Sequence, residues 1–138
     1  MEPHADEARM IILLDTSVII DALRRRRGRR ELLVALVEEG HELACCAINV
    51  AEVYSGMRPH EAEATAELID GLEYVGISRE AARHAGELRL EWQRKGKTLS
   101  LPDAIIAAVA LRKDLTVATD NARHFSLLRL NLLPLPGA

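Results

Sequence analysis

Short aliphatic runs alternate along this chain with stretches whose apolar residues recur at helical period, and that alternation restricts the fold more than any other feature. "MIILLD" (10–15) reads as a fully buried strand, and "SVIIDALR" as a short helix with Thr16 or Ser17 placed to cap it. "RRELLVALVEEG" (29–40) is amphipathic and ends at Gly40, and "ELACC" (42–46) reads as a second strand. "AINVAEVYSGM" (47–57) and "HEAEATAELIDGL" (60–72) read as helices, and "EYVGI" (73–77) as a third strand. Ser78 caps a long helix to about Lys95, and "LPDAIIAAVALRK" (101–113) is an Ala-rich helix. "LTVAT" (115–119) is a fourth strand and "LNLLPL" (130–135) a possible fifth. Strands alternating with helices imply a three-layer α/β/α sandwich on a parallel sheet of four to five strands. Ligands in such sheets bind beyond the carboxyl ends of the strands.

Half of the 138 residues are apolar (49%), enough for one core, and with aromatics at 3% that core is aliphatic. No linker, repeat or low-complexity tract divides the chain, so residues 1–138 read as a single domain with a flexible polar extension at 1–9. A net charge of −3 is not the basic signature of a simple nucleic-acid-coating protein. "MEPHADEARM" lacks the basic start of a signal peptide, and the run 11–20 contains an Asp and is too short to span a bilayer. A cytoplasmic protein without membrane association is expected. Cys45 and Cys46 are adjacent, too close for the usual disulfide, and read as two buried thiols.

Asp15 sits in the most hydrophobic part of the chain, where an unpartnered buried charge is costly. A parallel sheet puts it at a strand end, on the rim where sites form. Glu52 lies on the helix after strand two, Asp103 in the first turn of the helix before strand four, and Asp120 directly after strand four. The elements carrying them can bring all four to one cleft. Clustered carboxylates raise each other's pKa unless a hard divalent cation lies between them, and Mg²⁺ and Mn²⁺ prefer such oxygen ligands. Each acid also has a plainer reading: Asp15 as a helix cap, Asp103 in the capping-box pattern Ser100-Leu-Pro-Asp103, Asp120 as a turn residue, Glu52 as a solvated helix position. Against the last, Asn49 and Ser55 share the face of Glu52 on an otherwise apolar helix.

With these residues in view, the chain resembles the PIN-domain ribonucleases, specifically the VapC-type toxins of toxin–antitoxin pairs. The likeness rests on "LLDTSVIID" (13–21), "INVAEVYSGM" (48–57), "LPDAIIAAVAL" (101–111) and "VATDNARHF" (117–125), in the family's order. The resemblance implies an acidic pocket for Mg²⁺ or Mn²⁺ and metal-dependent hydrolysis of RNA that inhibits translation. Asp15 and Asp103 match direct metal ligands. Glu52 matches a ligand of a second ion or an orienter of the attacking water. Ser17 matches a hydroxyl that lines the pocket. In the last motif, Thr119, Asp120 and Asn121, either Asp120 or Asn121 faces the metal. The resemblance also implies a homodimer and a cognate VapB-type antitoxin whose C-terminal segment lies over the pocket.

The densest charge run, "RRRRGRR", sets Arg24, Arg25, Arg26 and Arg27 beside Arg29 and Arg30. It reads either as a solvated helix end or as phosphate-binding residues on the pocket rim. Trp92 reads as packed, Asp21 as a solvent-facing helix residue, and His124 is the histidine nearest the expected site. Two other readings stay open: a catalytically inactive PIN-like RNA- or protein-binding module, and a receiver-like signalling domain, for which strand three lacks an acceptor Asp.

Overall fold

The computed structural model describes residues 9–125 and 128–137, so the expected N-terminal extension lies, except for Arg9, outside the described residues. Five parallel strands form one sheet in the order β3-β2-β1-β4-β5. They are β1 (Ile11–Leu14), β2 (Glu42–Cys46), β3 (Glu73–Val75), β4 (Thr116–Ala118) and β5 (Asn131–Leu133). The helices are α1 (Thr16–Leu23), α2 (Arg29–Glu38), α3 (Ala47–Ser55), α4 (Ala62–Asp70), α5 (Arg79–Arg94), α6 (Leu101–Lys113) and α7 (Ala122–Phe125).

The period of two along each strand sorts the core into two layers. Ile12, Leu14, Leu43 and Cys45 pack against Val18, Ile19, Leu33, Leu36, Val53 and Ile69 of α1–α4. Leu13, Ala44, Cys46 and Val117 face the other way, onto Ala81, Ile106 and Val109 of α5 and α6. Buried Ala104, Ala107 and Ala108 let α5 approach α6 closely, and Trp92 and Phe125 close the outside of that layer. Fully burying each of Ile12, Leu13 and Leu14 contributes about 1.5–3 kcal/mol. A charge cannot share that row, so Asp15 follows it.

From β1 the chain steps through β2 to β3 with helices on one face, then returns through β4 to β5 with helices on the other. Right-handed crossovers demand that change of face when the direction reverses. The reversal puts a crevice at the carboxyl ends of β1 and β4. Among the described residues no helix is long and apolar enough to cross a membrane.

Several local expectations change. Asp15, rather than Thr16 or Ser17, caps α1, its Oδ1 accepting the Thr16 N–H at 2.8 Å. The expected helix 60–72 begins as a 3₁₀ turn, Pro59–Glu61, before α4, and the short α7 was not anticipated. Ser78 does cap α5, accepting from Ala81 N at 3.0 Å. Both cysteines are free and buried.

Candidate active site

The backbone of Asp15 is pinned before its side chain is considered: its N–H donates to the Ala118 carbonyl of β4 at 2.9 Å, extending the ladder one residue past β1. Its carboxylate is then held at both ends. Oδ1 takes the Thr16 N–H and Oδ2 takes the Thr119 hydroxyl at 2.7 Å. Thr119 follows β4, is 1% exposed, and its own oxygen accepts Asn121 N–H at 3.0 Å. The Thr119 proton is therefore committed to Asp15.

Asp15 is 9% exposed, and burial pushes its carboxyl above the ordinary 3.8. The Thr119 hydrogen bond opposes that rise, Asp103 adds to it by repulsion, the Thr16 N–H opposes it, and Glu52 adds again. Asp103 and Glu52 thus both lie within electrostatic reach of Asp15.

Glu52 is set by a relay the sequence only hinted at. Asn49 is fully buried in the first turn of α3, and its Oδ1 accepts Cys46 N–H at 2.9 Å and Cys46 Sγ–H at 3.3 Å. Its Nδ2 donates to Thr16 Oγ1 at 3.1 Å, and Thr16 Oγ1 donates to Glu52 Oε1 at 2.7 Å. Because the Thr16 oxygen accepts from Asn49, its proton points at Glu52. The shared face of Asn49 and Glu52 was visible in the sequence; the role of Thr16, read there only as a cap, was not. Cys46, pushed up by burial, stays a thiol in this relay.

Asp103 opens α6, its backbone N–H bonded to Ser100 Oγ at 3.2 Å, so the capping reading holds for the main chain. Its carboxylate faces elsewhere, with Oδ2 3.6 Å from His124 Nε2, a buried nitrogen with no hydrogen-bond partner among the described residues. Ser17 is exposed in the first turn of α1.

Asp120 has a different environment. Its Oδ1 accepts a hydrogen bond from Nη2 of Arg29, which is 1% exposed, and lies 3.2 Å from Arg27 Nη1. Arg29 Nη1 also donates to the carbonyls of Arg27 (3.1 Å) and Pro136 (3.0 Å), and Arg27 Nη2 donates to Gly137 O at 2.6 Å. Arg27 further lies 3.8 Å from Asp21, which is therefore an ion-pair partner, not a purely solvent-facing residue. Arg24 is bound to Glu61 at 3.0 Å, while Arg25 and Arg26 are exposed. The arginine run is therefore divided among structural and free positions.

The groups around Asp15 are two carboxylates that repel it and neutral hydroxyl and amide donors, an oxygen-rich set that suits a hard divalent cation better than zinc. Among the described residues, however, no three His, Cys, Asp or Glu groups stand close enough together to hold a metal ion.

Comparison with known proteins adds the following. Residues 12–129 match the model of the PIN domain family. Ribonuclease VapC10 of Mycobacterium tuberculosis is 32% identical over 117 residues, covering 85% of this chain and 87% of that protein. A toxin–antitoxin complex from Klebsiella pneumoniae aligns with TM-score 0.73 at 28% identity, covering 89% of this chain and 96% of that one. The Rickettsia felis VapBC2 complex, bound to a DNA fragment from its promoter, aligns with TM-score 0.75 at 24% identity, covering 90% and 98%, and supports the fold alone.

Proposed function

The chain belongs to the PIN-domain family, and on that premise we propose that it is an endoribonuclease toxin, hydrolysing RNA phosphodiester bonds to inhibit translation and restrained by a VapB-type antitoxin. Its similarity to ribonuclease VapC10 and to toxin–antitoxin complexes supports the reading. Family membership displaces the receiver-like alternative. Activity depends on Mg²⁺ or Mn²⁺, the whole of residues 1–138 acts as one domain, and the protein works in the cytoplasm as a homodimer.

The observation that carries the reading is Asp15: a buried carboxylate at the sheet's switch point, repelled by Asp103 and Glu52. Asp15, Asp103 and Glu52 would hold the ion once their carboxylates draw together, since here they do not stand at ligand spacing. Bound there, a divalent ion supplies an acidified water and neutralises charge developing on the phosphate. The chain's own residues arrange the rest. Thr119 and the Thr16 N–H fix the Asp15 carboxylate in one rotation. Asn49 aims Thr16, and Thr16 holds Glu52 so that its free oxygen can orient the attacking water or take its proton. Ser17 lines the mouth of the pocket. Of Asp120 and Asn121, Asn121 is the one set to face substrate, because Oδ1 of Asp120 is held by two arginines and its Oδ2 is buried. In the hydrolysis, water oxygen bonds to phosphorus, one bridging P–O bond breaks, and the departing sugar oxygen takes a proton. Arg25 and Arg26, the exposed and unpaired members of the run among the described residues, flank the substrate path.

One observation favours a second reading, binding without cleavage: the acids are not gathered at ligand spacing. Incubating the purified chain with RNA in Mg²⁺, Mn²⁺ or EDTA separates the two. Cleavage that needs metal and disappears in Asp15→Asn and Asp103→Asn is expected. RNA binding without cleavage in either metal contradicts the enzyme.

A further inference from the structure

A concave site lies away from the acids, and we propose that it is an anion site for a backbone phosphate of the RNA strand, outside the scissile bond. The inference rests on the ribonuclease reading above. The site is an open cavity of about 380 Å³ between the end of α1 and the 3₁₀ turn, lined by Arg24, Arg25, Arg26, Arg58, His60 and Glu61 among others.

Glu61 is the single acid in that lining, and it is already used. It pairs with Arg24 at 3.0 Å and accepts the Arg58 N–H at 2.8 Å, and Arg24 holds its carboxyl down to about 2. One guanidinium is thus cancelled and the loop is stapled to α1. Arg25, Arg26 and Arg58 form no ion pair at salt-bridge distance among the described residues, and all three are exposed. They come from segments more than thirty residues apart in the chain, so the fold, not a local charge run, brings them together.

The backbone of the arginine run supports the same conclusion. Arg25 (φ 54°) and Arg27 (φ 56°) are both left-handed, a conformation that side-chain-bearing residues other than Asn and Asp seldom adopt. The two twists sort a uniform sequence into two groups. Arg27 and Arg29 turn to Asp120, and Arg25 and Arg26 turn to the cavity. Guanidinium groups present paired N–H donors that match phosphate oxygens, which makes a phosphate the natural occupant.

Position links the cavity to the acids. Asp15 caps the start of α1 and the cavity lies at its end, eight residues or ~12 Å away. Thr16 touches Glu52 near the start of α1, and Arg24 Nη2 donates to Gly56 O at its end, so α1 and α3 run side by side between the two sites. A single strand whose cleaved phosphate lies at Asp15 reaches the cavity a few nucleotides along.

The test uses full-length chains carrying Asp15→Asn, in EDTA, with a fluorescent oligouridylate and a salt titration. Adding Arg26→Ala and Arg58→Ala should lower affinity at least about tenfold at low salt. It should also flatten the slope of log affinity against log salt by about 1.4, the loss of two single-strand phosphate contacts. Arg58→Lys keeps the charge and should retain most of the slope. Arg112→Ala, an exposed arginine at the far end of α6, should change neither. An unchanged slope in the double variant, with metal-dependent RNA cleavage intact in the wild-type chain, overturns the cavity assignment and leaves the nuclease reading standing. Loss of antitoxin affinity with an unchanged RNA slope overturns it in favour of an acidic peptide. If the Asp15→Asn chain does not bind RNA and the wild-type chain does not cut it, both fall together.

Discussion

Asp15 and Asp120 end adjacent strands of one sheet, both at the carboxyl edge, and meet opposite electrostatic surroundings. Asp15 is enclosed by two hydroxyl or amide donors and faces two further acids, with burial holding its carboxyl in the protonated direction. Asp120 is enclosed by two guanidinium groups, one of them from a fully buried arginine. The chain supplies the counter-charge for one acid and withholds it from the other. Asp120 is thus part of the frame, tying the α1–α2 turn and the residues after β5 to the β4 loop. Asp15 is the acid left without a cationic partner among the described residues.

The largest effect expected from breaking this contrast is on stability. Arg29→Met leaves the largely enclosed Asp120 with only the half-exposed Arg27, and removing one partner of a buried pair costs up to about 3–5 kcal/mol. Adding Asp120→Asn should restore most of that in a denaturant melt. A cost below about 1 kcal/mol for Arg29→Met would remove Asp120 from the frame.

Next is Asp15→Asn. Losing several kcal/mol of transition-state stabilisation lowers cleavage at least about 100-fold. Stability should move the other way. The folded-state pKa of Asp15 lies above 3.8, so folded protein holds this proton more tightly than unfolded protein. Stability from this group is complete below pH 3.8 and is lost as pH rises through the folded value. In metal-free buffer, Asp15→Asn should therefore gain on wild type as pH rises from about 4 to neutrality in paired thermal melts. A gap that shrinks with pH contradicts the electrostatic picture of this site.

Smaller is the relay. Asn49→Ala frees the Thr16 hydroxyl from its fixed direction, and cleavage should fall about 10-fold, the lower end for a group that orients a ligand. Thr16→Val should cost a similar amount, and the double variant little more, since both act through Glu52. Additive losses would mean two independent roles. Smallest of all, Asp120→Asn should leave cleavage close to wild type.

The contrast also marks where sequence reasoning succeeded. β2 (Glu42–Cys46) and α6 (Leu101–Lys113) were legible to the residue, because a short aliphatic run and a Ser-capped Ala-rich helix are set by nearby residues. The placement of Asp15 at a strand end followed from the alternation of elements. The pairing of Asp120 with Arg29 was not legible, because Arg29 is 91 residues away and sits in what reads as a solvated run. Nothing local marks one arginine of six as buried. The four-residue α7 has too few turns to show a period. Thr16 gave no sign of its reach to Glu52, a contact made only when α1 and α3 lie side by side.

Calorimetric titration with Mn²⁺ on wild type, Asp15→Asn and Asp120→Asn compares the two acids directly. Saturable binding in wild type, kept in Asp120→Asn and lost in Asp15→Asn, is the expected result. Equal Mn²⁺ affinity in wild type and Asp15→Asn, or loss in Asp120→Asn with a melting profile like wild type, would place the cation elsewhere and contradict the central claim.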